Sequence, residues 1–436
     1  MTDSLTATDG DKRVFLFLQG PSSSLFSKLA SRLVASGHLC LRVNLNAGDW
    51  LFWRNRRAFN YRGRIDRWPS YISELLSKYF VTDLVLLGEE RPYHRMAIAI
   101  AKARGIDVTV IEMGYLRPDW ITVERDGMSS NSRFPDAPNV IRRAAAGLND
   151  VDFTVRYRQS FLVEALFDLV YNLPNVFCWF LYPGYQRHAI FHPLLEYAGW
   201  LSRLLQTPRR NGEAEATIQR VLKNERPCFL YPLQLETDYQ LRAHSPYLSQ
   251  RDAIDEILTS FAHHASEAEL IVKVHPLDNG LIDWAAIVRG KAKALGIGTR
   301  VSFLDGGILS TVIEKCCGLV TVNSTTALHA LHLGIPVKVL GSAIYDLAGM
   351  THQSDLDSFW VAPERPDMDL VVDFYRLLAA TIQVKGNFYS RAGTAAAAEA
   401  IATRLINRTV NQPGGDNGWA PRTRPSKTRT SACARK

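Results

Sequence analysis

Five short polar segments follow apolar, strand-like runs in this 436-residue chain, and they hold most of the side chains able to do acid–base or anion-binding chemistry. The first is Gln19-Gly20-Pro21-Ser22-Ser23-Ser24, and the second is Gly88-Glu89-Glu90-Arg91-Pro92-Tyr93-His94. The third runs from Glu112 through Met113, Gly114 and Arg117 to Trp120. Here Glu112 is a candidate nucleophile or general acid/base, with Glu89 and Glu90 competing for the role. The alternative is a carboxylate that caps a helix or pairs with Arg117 or Arg91. Arg91, His94 and Arg117 read as clamps for a carboxylated or phosphorylated substrate, or as partners of these glutamates. Gln19, Gly20 and Gly114 complete the candidate substrate contacts. The remaining segments are Lys273-Val274-His275-Pro276 and Asn323-Ser324-Thr325-Thr326. Together they suit a phosphate, with His275 as donor, the hydroxyls of Ser324 and Thr325, free N–H groups at a helix start, and Lys273, Pro276 and Asn323 beside them. The plain alternative is a His-Pro turn and an ordinary Ser/Thr helix cap.

The elements that must position these residues follow from periodicity. Apolar runs at 14–19, 39–44, 83–88 and 108–112 alternate with amphipathic stretches at 25–37, 70–80 and 93–105. That alternation predicts a parallel sheet covered on both faces, in a Rossmann-like domain whose strands end near Pro138. A second alternation has strand-like runs at 228–234, 270–276, 300–305, 318–324 and 336–341, with helices starting near Arg251, Trp284, Leu309 and Thr325. Between the two lies a helical, aromatic stretch, 151–210, and after them come helices near 370–382 and 395–406. The expected fold class is α/β and GT-B-like, with two Rossmann-like parallel-sheet domains facing across a cleft and ligands at the carboxyl ends of the strands. The expected divisions are a flexible start (1–12), an acceptor and catalytic domain (13–210), a nucleotide-sugar domain (211–366), C-terminal helices (367–410) and a disordered basic tail (411–436).

Composition narrows the class. Hydrophobic residues make up 47% and charged residues 22%, as in folded soluble proteins, which excludes wholesale disorder and collagen-like chains. The net charge is +8, but the tail carries Arg422, Arg424, Lys427, Arg429, Arg435 and Lys436 against Asp416 alone, so it supplies +5 of that total. The basic pI of 9.1 is therefore weak support for nucleic-acid binding. Six scattered cysteines form no zinc or disulfide pattern and fit a reducing compartment. No apolar stretch precedes Val14, which argues against a secretory signal. The most apolar long segment, 161–182, is interrupted by Glu164, Asp168, Asn172, Pro174 and Asn175 and is too polar to span a bilayer. Neither G-x-G-x-x-G nor a Walker A sequence occurs. Asp355/Asp357 and Asp367/Asp369 lie beyond the sheet pattern, Asp367 reads as a helix cap, and no metal site is expected. From Trp50 to Trp68, six arginines interleave with Trp53, Phe59 and Tyr61; the stretch suits a lipid headgroup surface, a nucleic acid or simply a solvated loop.

Several motifs in one order then carry a resemblance: Gln19-Gly20-Pro21, 42–49 (RVNLNAGD), Arg91-Pro92-Tyr93-His94, 114–122 (GYLRPDWIT), Lys273-Val274-His275-Pro276 and Asn323-Ser324-Thr325. Over about residues 14–360 the chain resembles capsule polysaccharide biosynthesis/export proteins of the KpsS/LipB type. The resemblance implies a retaining β-Kdo transferase of GT-B fold. Such an enzyme uses CMP-Kdo, without a cofactor or metal, to start a Kdo linker on a phosphatidylglycerol-type lipid for capsule export in Gram-negative cells. It also implies a cytoplasmic protein, peripheral to the inner membrane, working beside other capsule assembly proteins and not with nucleic acid. The chain is similar, too, to bacterial sialyltransferases in an acid-acid-Gly motif for the catalytic carboxylate and a His-Pro motif for CMP. Glu112 and Gly114 match the first, with Met113 at the second acidic position, and His275 and Pro276 match the second. Two other enzyme classes fit similar signals, a CDP-glycerol-type polyol-phosphate transferase and a nucleotide-sugar epimerase. A non-catalytic capsule assembly scaffold is the alternative from outside enzymology.

Overall fold

The computed structural model describes residues 12–53, 57–187, 190–224 and 226–412. The expected flexible start and basic tail thus lie, but for residues 12, 411 and 412, outside the described residues. The chain forms two α/β units made of interleaved segments: unit 1 comprises 1–133, 152–188 and 379–419, and unit 2 comprises 134–151, 189–378 and 420–436.

Unit 1 begins as a repeat of strand and helix: β1 (Val14–Phe17), α1 (Leu25–Ala35), β2 (Leu39–Asn44), α2 (Ala47–Leu51), β3 (Ala58–Asn60), α3 (Trp68–Lys78), β4 (Asp83–Leu87), α4 (Pro92–Lys102), β5 (Asp107–Met113) and β6 (Trp120–Arg125). The helix α5 (Pro138–Ala145) belongs to unit 2, whereas α6 (Phe161–Phe177) returns to unit 1. Unit 2 continues with α7 (Pro193–Lys223), β7 (Cys228–Pro232), α8 (Tyr239–Ala243), α9 (Gln250–His264), β8 (Glu269–Lys273), α10 (Trp284–Ala294), β9 (Val301–Leu304), α11 (Leu309–Ile313), β10 (Gly318–Thr321), α12 (Thr326–His332), β11 (Val337–Val339), α13 (Leu356–Val361) and α14 (Met368–Thr381). Finally, β12 (Gln383–Lys385) and α15 (Arg391–Ile406) complete unit 1.

The unit 1 sheet has the order β12-β6-β5-β4-β1-β2-β3. Its five strands from β5 to β3 pair in parallel, as the unbroken apolar runs predict. The departure is at one edge: β6 folds back antiparallel on β5, and β12 pairs antiparallel with β6. The sequence reading places Glu112 to Trp120 in a segment after a strand and predicts neither of these antiparallel strands. The unit 2 sheet, β11-β10-β7-β8-β9, is parallel throughout.

Each sheet therefore carries the doubly wound order in which the first strand sits between the second and the fourth. Ligand-facing loops are expected where the winding reverses, beside β1 and β4 in unit 1 and beside β7 and β10 in unit 2. The core of unit 1 packs Phe15, Phe17, Leu29 and Val85 against Ala397, Ile401 and Leu405 of α15. In unit 2, Phe229, Tyr231, Leu270 and Val272 meet Ile254, Ile257 and Phe261 of α9 and Phe359 of α13.

Two expectations change. The boundary at 210/211 falls inside the continuous helix α7, and the C-terminal helices are not a separate layer, because the chain leaves unit 2 after Leu378 and returns to unit 1. The Trp50–Trp68 stretch, whose residues 54–56 lie outside the described residues, turns three of its aromatics inward: Trp53, Tyr61 and Trp68 are buried, Trp50 is 53% exposed, and Arg57, Arg62, Arg64 and Arg67 are exposed. Among the described residues, no helix is long and apolar enough to cross a membrane.

Candidate active site and phosphate-binding loops

In unit 1 the winding reversal is marked by a buried polar network. Gln19, just beyond β1, donates from Nε2 to the hydroxyls of Tyr171 and Tyr185, each at 3.2 Å. Tyr171 in turn donates to Asp49 Oδ1 at 3.1 Å and accepts from Asn46 Nδ2 at 3.0 Å. Arg42 holds the same Asp49 oxygen at 3.1 Å. Burial, with the Asp49 charge next, pushes the phenols of Tyr171 and Tyr185 above their ordinary range, so both stay protonated donors. Gly20 needs its missing side chain, since a Cβ there would lie 2.6 Å from the Phe26 ring. The segment 42–49 was noticed in the sequence but given no role. Its signal was an Arg, two Asn and an Asp placed directly at and after a strand end.

Glu112 is the penultimate residue of β5, beside β4 in the parallel part of the sheet. Its side chain is half-buried. Oε1 accepts the N–H of Met113 at 3.0 Å, and Oε2 stands 3.0 Å from where a Cβ of Gly88 would be. Gly88 has a φ of +65° and so suits glycine twice, by conformation and by the carboxylate against it. Gly114 is required by close approach: its N–H donates to the Trp120 carbonyl at 2.9 Å, and a Cβ would fall 2.3 Å from that oxygen. Tyr389, hydrogen-bonded to Ser22 of the first loop, has its phenol pushed up to about 12 by burial and by the carboxylates of Glu164, Asp168 and Glu112. The Tyr389 phenol thus feels Glu112 together with two acids of α6. The sequence marks none of Tyr389, Glu164 and Asp168 as site residues, because α6 and the C-terminal segment are both distant from Glu112 in the chain.

The competing carboxylates are engaged elsewhere. Glu89 is buried and takes the N–H of Met128 at 2.8 Å, and Glu90 accepts from Asn131 Nδ2 at 3.1 Å. Both hold the loop after β6. His94 is wholly buried with Nδ1 2.7 Å from the Gly88 carbonyl, and burial, then the Arg91 charge, pushes its pKa down to about 3. The expectation of a cationic clamp at His94 is therefore corrected: the ring is neutral at physiological pH and fixes the β4–α4 turn. Arg91, directly before α4, is half-buried and makes no side-chain hydrogen bond or ion pair among the described residues. Its charge acts on Tyr171, Tyr185 and His94, which keeps it in the anion-binding set. Arg117 is exposed in the β5–β6 turn.

In unit 2, Gln234 after β7 and Asn323 after β10 tie the two central loops together. Gln234 Nε2 donates to Asn323 Oδ1 at 2.8 Å, and the Asn323 N–H returns to Gln234 Oε1 at 3.2 Å. Asn323 Nδ2 also donates to the Gln240 carbonyl at 2.8 Å. Asn323 is thus a loop-positioning residue rather than the ligand contact expected of it. Lys273 is corrected in the same way. It is buried, with Nζ donating to the Gly306 carbonyl at 2.5 Å, and burial lowers its pKa although Asp305 opposes the shift.

His275 is half-buried beyond β8 and accepts the Leu277 N–H on Nδ1 at 3.1 Å, which puts the proton of the neutral ring on Nε2. Pro276 follows it on the surface. Ser324 Oγ accepts the N–H of Thr326 at 3.2 Å, a local turn bond just before a helix of only seven residues, whose N-cap Thr325 makes no side-chain capping bond. Thr325 is half-buried, and its hydroxyl has no hydrogen bond among the described residues. The two Asp-x-Asp pairs serve helices: Asp355 caps α13 through Ser358 N at 2.8 Å, and Asp367 caps α14 through Leu370 N at 3.1 Å.

Comparison with known proteins adds a family signal. A model of capsule polysaccharide biosynthesis proteins matches residues 82–389. The chain is 30% identical over 379 residues to the capsule polysaccharide export protein KpsS of Escherichia coli, covering 86% of this chain and 96% of that protein. It is 31% identical over 391 residues to the capsule polysaccharide modification protein LipB of Neisseria meningitidis serogroup A, covering 86% and 91%. Among solved structures it is similar to Thermosulfurimonas dismutans KpsC, a β-Kdo 2,7 transferase, with TM-score 0.44 and 14% identity over 91% of this chain and 99% of that one.

Proposed function

Because the chain belongs to the capsule polysaccharide biosynthesis protein family, we propose that it is a glycosyltransferase moving Kdo from CMP-Kdo to a phosphatidylglycerol-type lipid at the inner face of the membrane, with retention. The observation that carries this reading is Glu112, a half-buried carboxylate at the end of a parallel strand, next to the winding reversal where doubly wound sheets meet their ligands.

In this mechanism Glu112 attacks the anomeric carbon of the sugar. A carbon–oxygen bond to the carboxylate forms as the bond to the phosphate oxygen breaks, and the electron pair leaves with CMP. The acceptor hydroxyl then displaces the carboxylate and gives up its proton, with Glu164 and Asp168 as the available bases on α6. Arg91 pairs with the carboxylate of the ketose. In unit 2, His275, Thr325 and the backbone N–H groups after β10 are the groups suited to the CMP phosphate, as hydrogen-bond donors that stabilise negative charge without calling for a metal.

The test is mass spectrometry of a lipid acceptor after incubation with the protein, CTP, Kdo and a CMP-Kdo synthetase, with parallel assays of CMP-Kdo, CDP-glycerol and UDP-sugars for nucleotide release. A Kdo adduct on the lipid and CMP released from CMP-Kdo alone are expected. Release from CDP-glycerol or a UDP-sugar instead would reassign the enzyme class, and no release from any donor would favour a scaffold.

A further inference from the structure

α6 is amphipathic the wrong way round for a helix on a water-soluble surface. Its polar residues face the protein: Glu164 and Asp168 act on Tyr389, Tyr171 enters the Gln19–Asp49 network, and Asn175 Oδ1 accepts the Gly48 N–H at 2.9 Å. Its large apolar residues face out, with Leu162 77%, Leu166 59% and Phe177 66% exposed. The next turn, Trp179–Leu181, adds Trp179 and Phe180, 65% and 61% exposed. Burying polar groups beneath an exposed apolar face is unfavourable in water and favourable where the outer face meets hydrocarbon.

We propose that α6 and the Trp179–Leu181 turn form an in-plane membrane-docking element that seats the Glu112 site at the headgroup level of an anionic bilayer. At 17 residues the helix is about 25 Å long, short of a span, and it carries two carboxylates, so it lies in the interface. Charge complementarity selects the bilayer as occupant. The chain after the turn packs on the β3 loop, where the Tyr182 hydroxyl donates to Asn60 Oδ1 at 2.9 Å and Gly184 is pressed against the Gly63 carbonyl. That loop presents exposed Arg62, Arg64 and Arg67, and half-buried Arg187 follows the turn. Cations beside an apolar face match an anionic headgroup layer. The lipid role expected of Trp50–Trp68 is thereby divided: its arginines supply the charge, and α6 supplies the apolar surface. The inference rests on the transferase reading only for its purpose, which is to bring a lipid acceptor to the inner, polar face of α6.

Flotation with vesicles of phosphatidylglycerol and phosphatidylcholine, against phosphatidylcholine alone, tests it. The wild type should bind the anionic vesicles, more weakly in high salt. Leu162→Gln/Leu166→Gln/Trp179→Ser should weaken that binding at least about tenfold, since each loses exposed apolar surface. Turnover of CMP-Kdo with a short-chain, water-soluble acceptor should survive in this variant. Loss of vesicle binding with no transferase activity in either protein would keep the docking element and remove the transferase reading. Equal vesicle binding by both proteins would overturn the proposal, as would a wild type that ignores vesicles and a variant that merely dissociates from a dimer. Should the variant not fold, hydrogen exchange of the wild type decides: vesicles should protect residues 161–181, and unchanged exchange there would sink the idea.

Discussion

Replacing Glu112 by Gln keeps an oxygen for the Met113 N–H and the volume beside Gly88, and removes only the charge and the nucleophile. Expected is unchanged CMP binding by calorimetry and a loss of turnover of at least about 100-fold, the lower scale for a positioned catalytic group. A comparable loss in Glu89→Gln or Glu90→Gln, with Glu112→Gln active, would move the chemistry to the β4–α4 loop. His94 gives a pH prediction. Its folded pKa, about 3, lies below the unfolded value near 6.5, so the unfolded chain binds the proton first as pH falls. Stability is therefore complete above about pH 6.5 and lost as pH falls toward 3, about 2 kcal/mol of it by pH 5. In His94→Asn, urea unfolding should lose that much less between pH 7 and pH 5. The same slope in both proteins would show that His94 does not carry the dependence. At this scale the sequence marks Glu112, because a lone acid closing an apolar run stands out. The charge of His94 was not legible, because it depends on burial that distant residues provide.

At the scale of elements, the loops after β8 and β10 are legible as strand ends, while the division of labour within them is not. His275 and Thr325 stay candidates for the phosphate, whereas Lys273 and Asn323 are consumed in holding the loops. Removing the donor by His275→Ala should weaken CMP binding by about 1.5–3 kcal/mol, the range for a hydrogen bond to a charged group. Calorimetry giving equal affinity would take His275 out of the site. Gln234→Ala should loosen both central loops, since it bridges β7 and β10 at the point where the winding reverses. The orientation of α6 belongs here as well. Its pattern of apolar and polar residues was readable, but which face turns inward was not. That choice is made by Gln19, Asn46 and Asp49, whose buried polar groups require partners that only the polar face supplies.

For the whole molecule, the return of the chain after Leu378 yields the sharpest expectation. A chain stopped at Leu378 lacks β12 and α15, and with them Ala397, Ile401 and Leu405 of the unit 1 core. Burying an Ile or Leu is worth about 1.5–3 kcal/mol, and a domain has only about 5–15 kcal/mol of net stability. Unit 1 should then lose its cooperative thermal transition while unit 2 retains one; two intact transitions would show that the C-terminal segment is dispensable.

What the sequence determined by itself is the alternation of strands and helices, the parallel strands of both sheets, the loops that carry the candidate residues and, through ordered motifs, the family. These follow from local periodicity and from residue types at strand ends, which are short-range properties. Tertiary structure alone decided that β12 and α15 complete the first sheet and its core, that His94 is neutral, that Lys273 and Asn323 serve the loops, and that Glu112, Glu164 and Asp168 all act on Tyr389. Each depends on groups far apart in the chain. Burial, charge and hydrogen bonding between such groups exist only once the sheet order has brought them together.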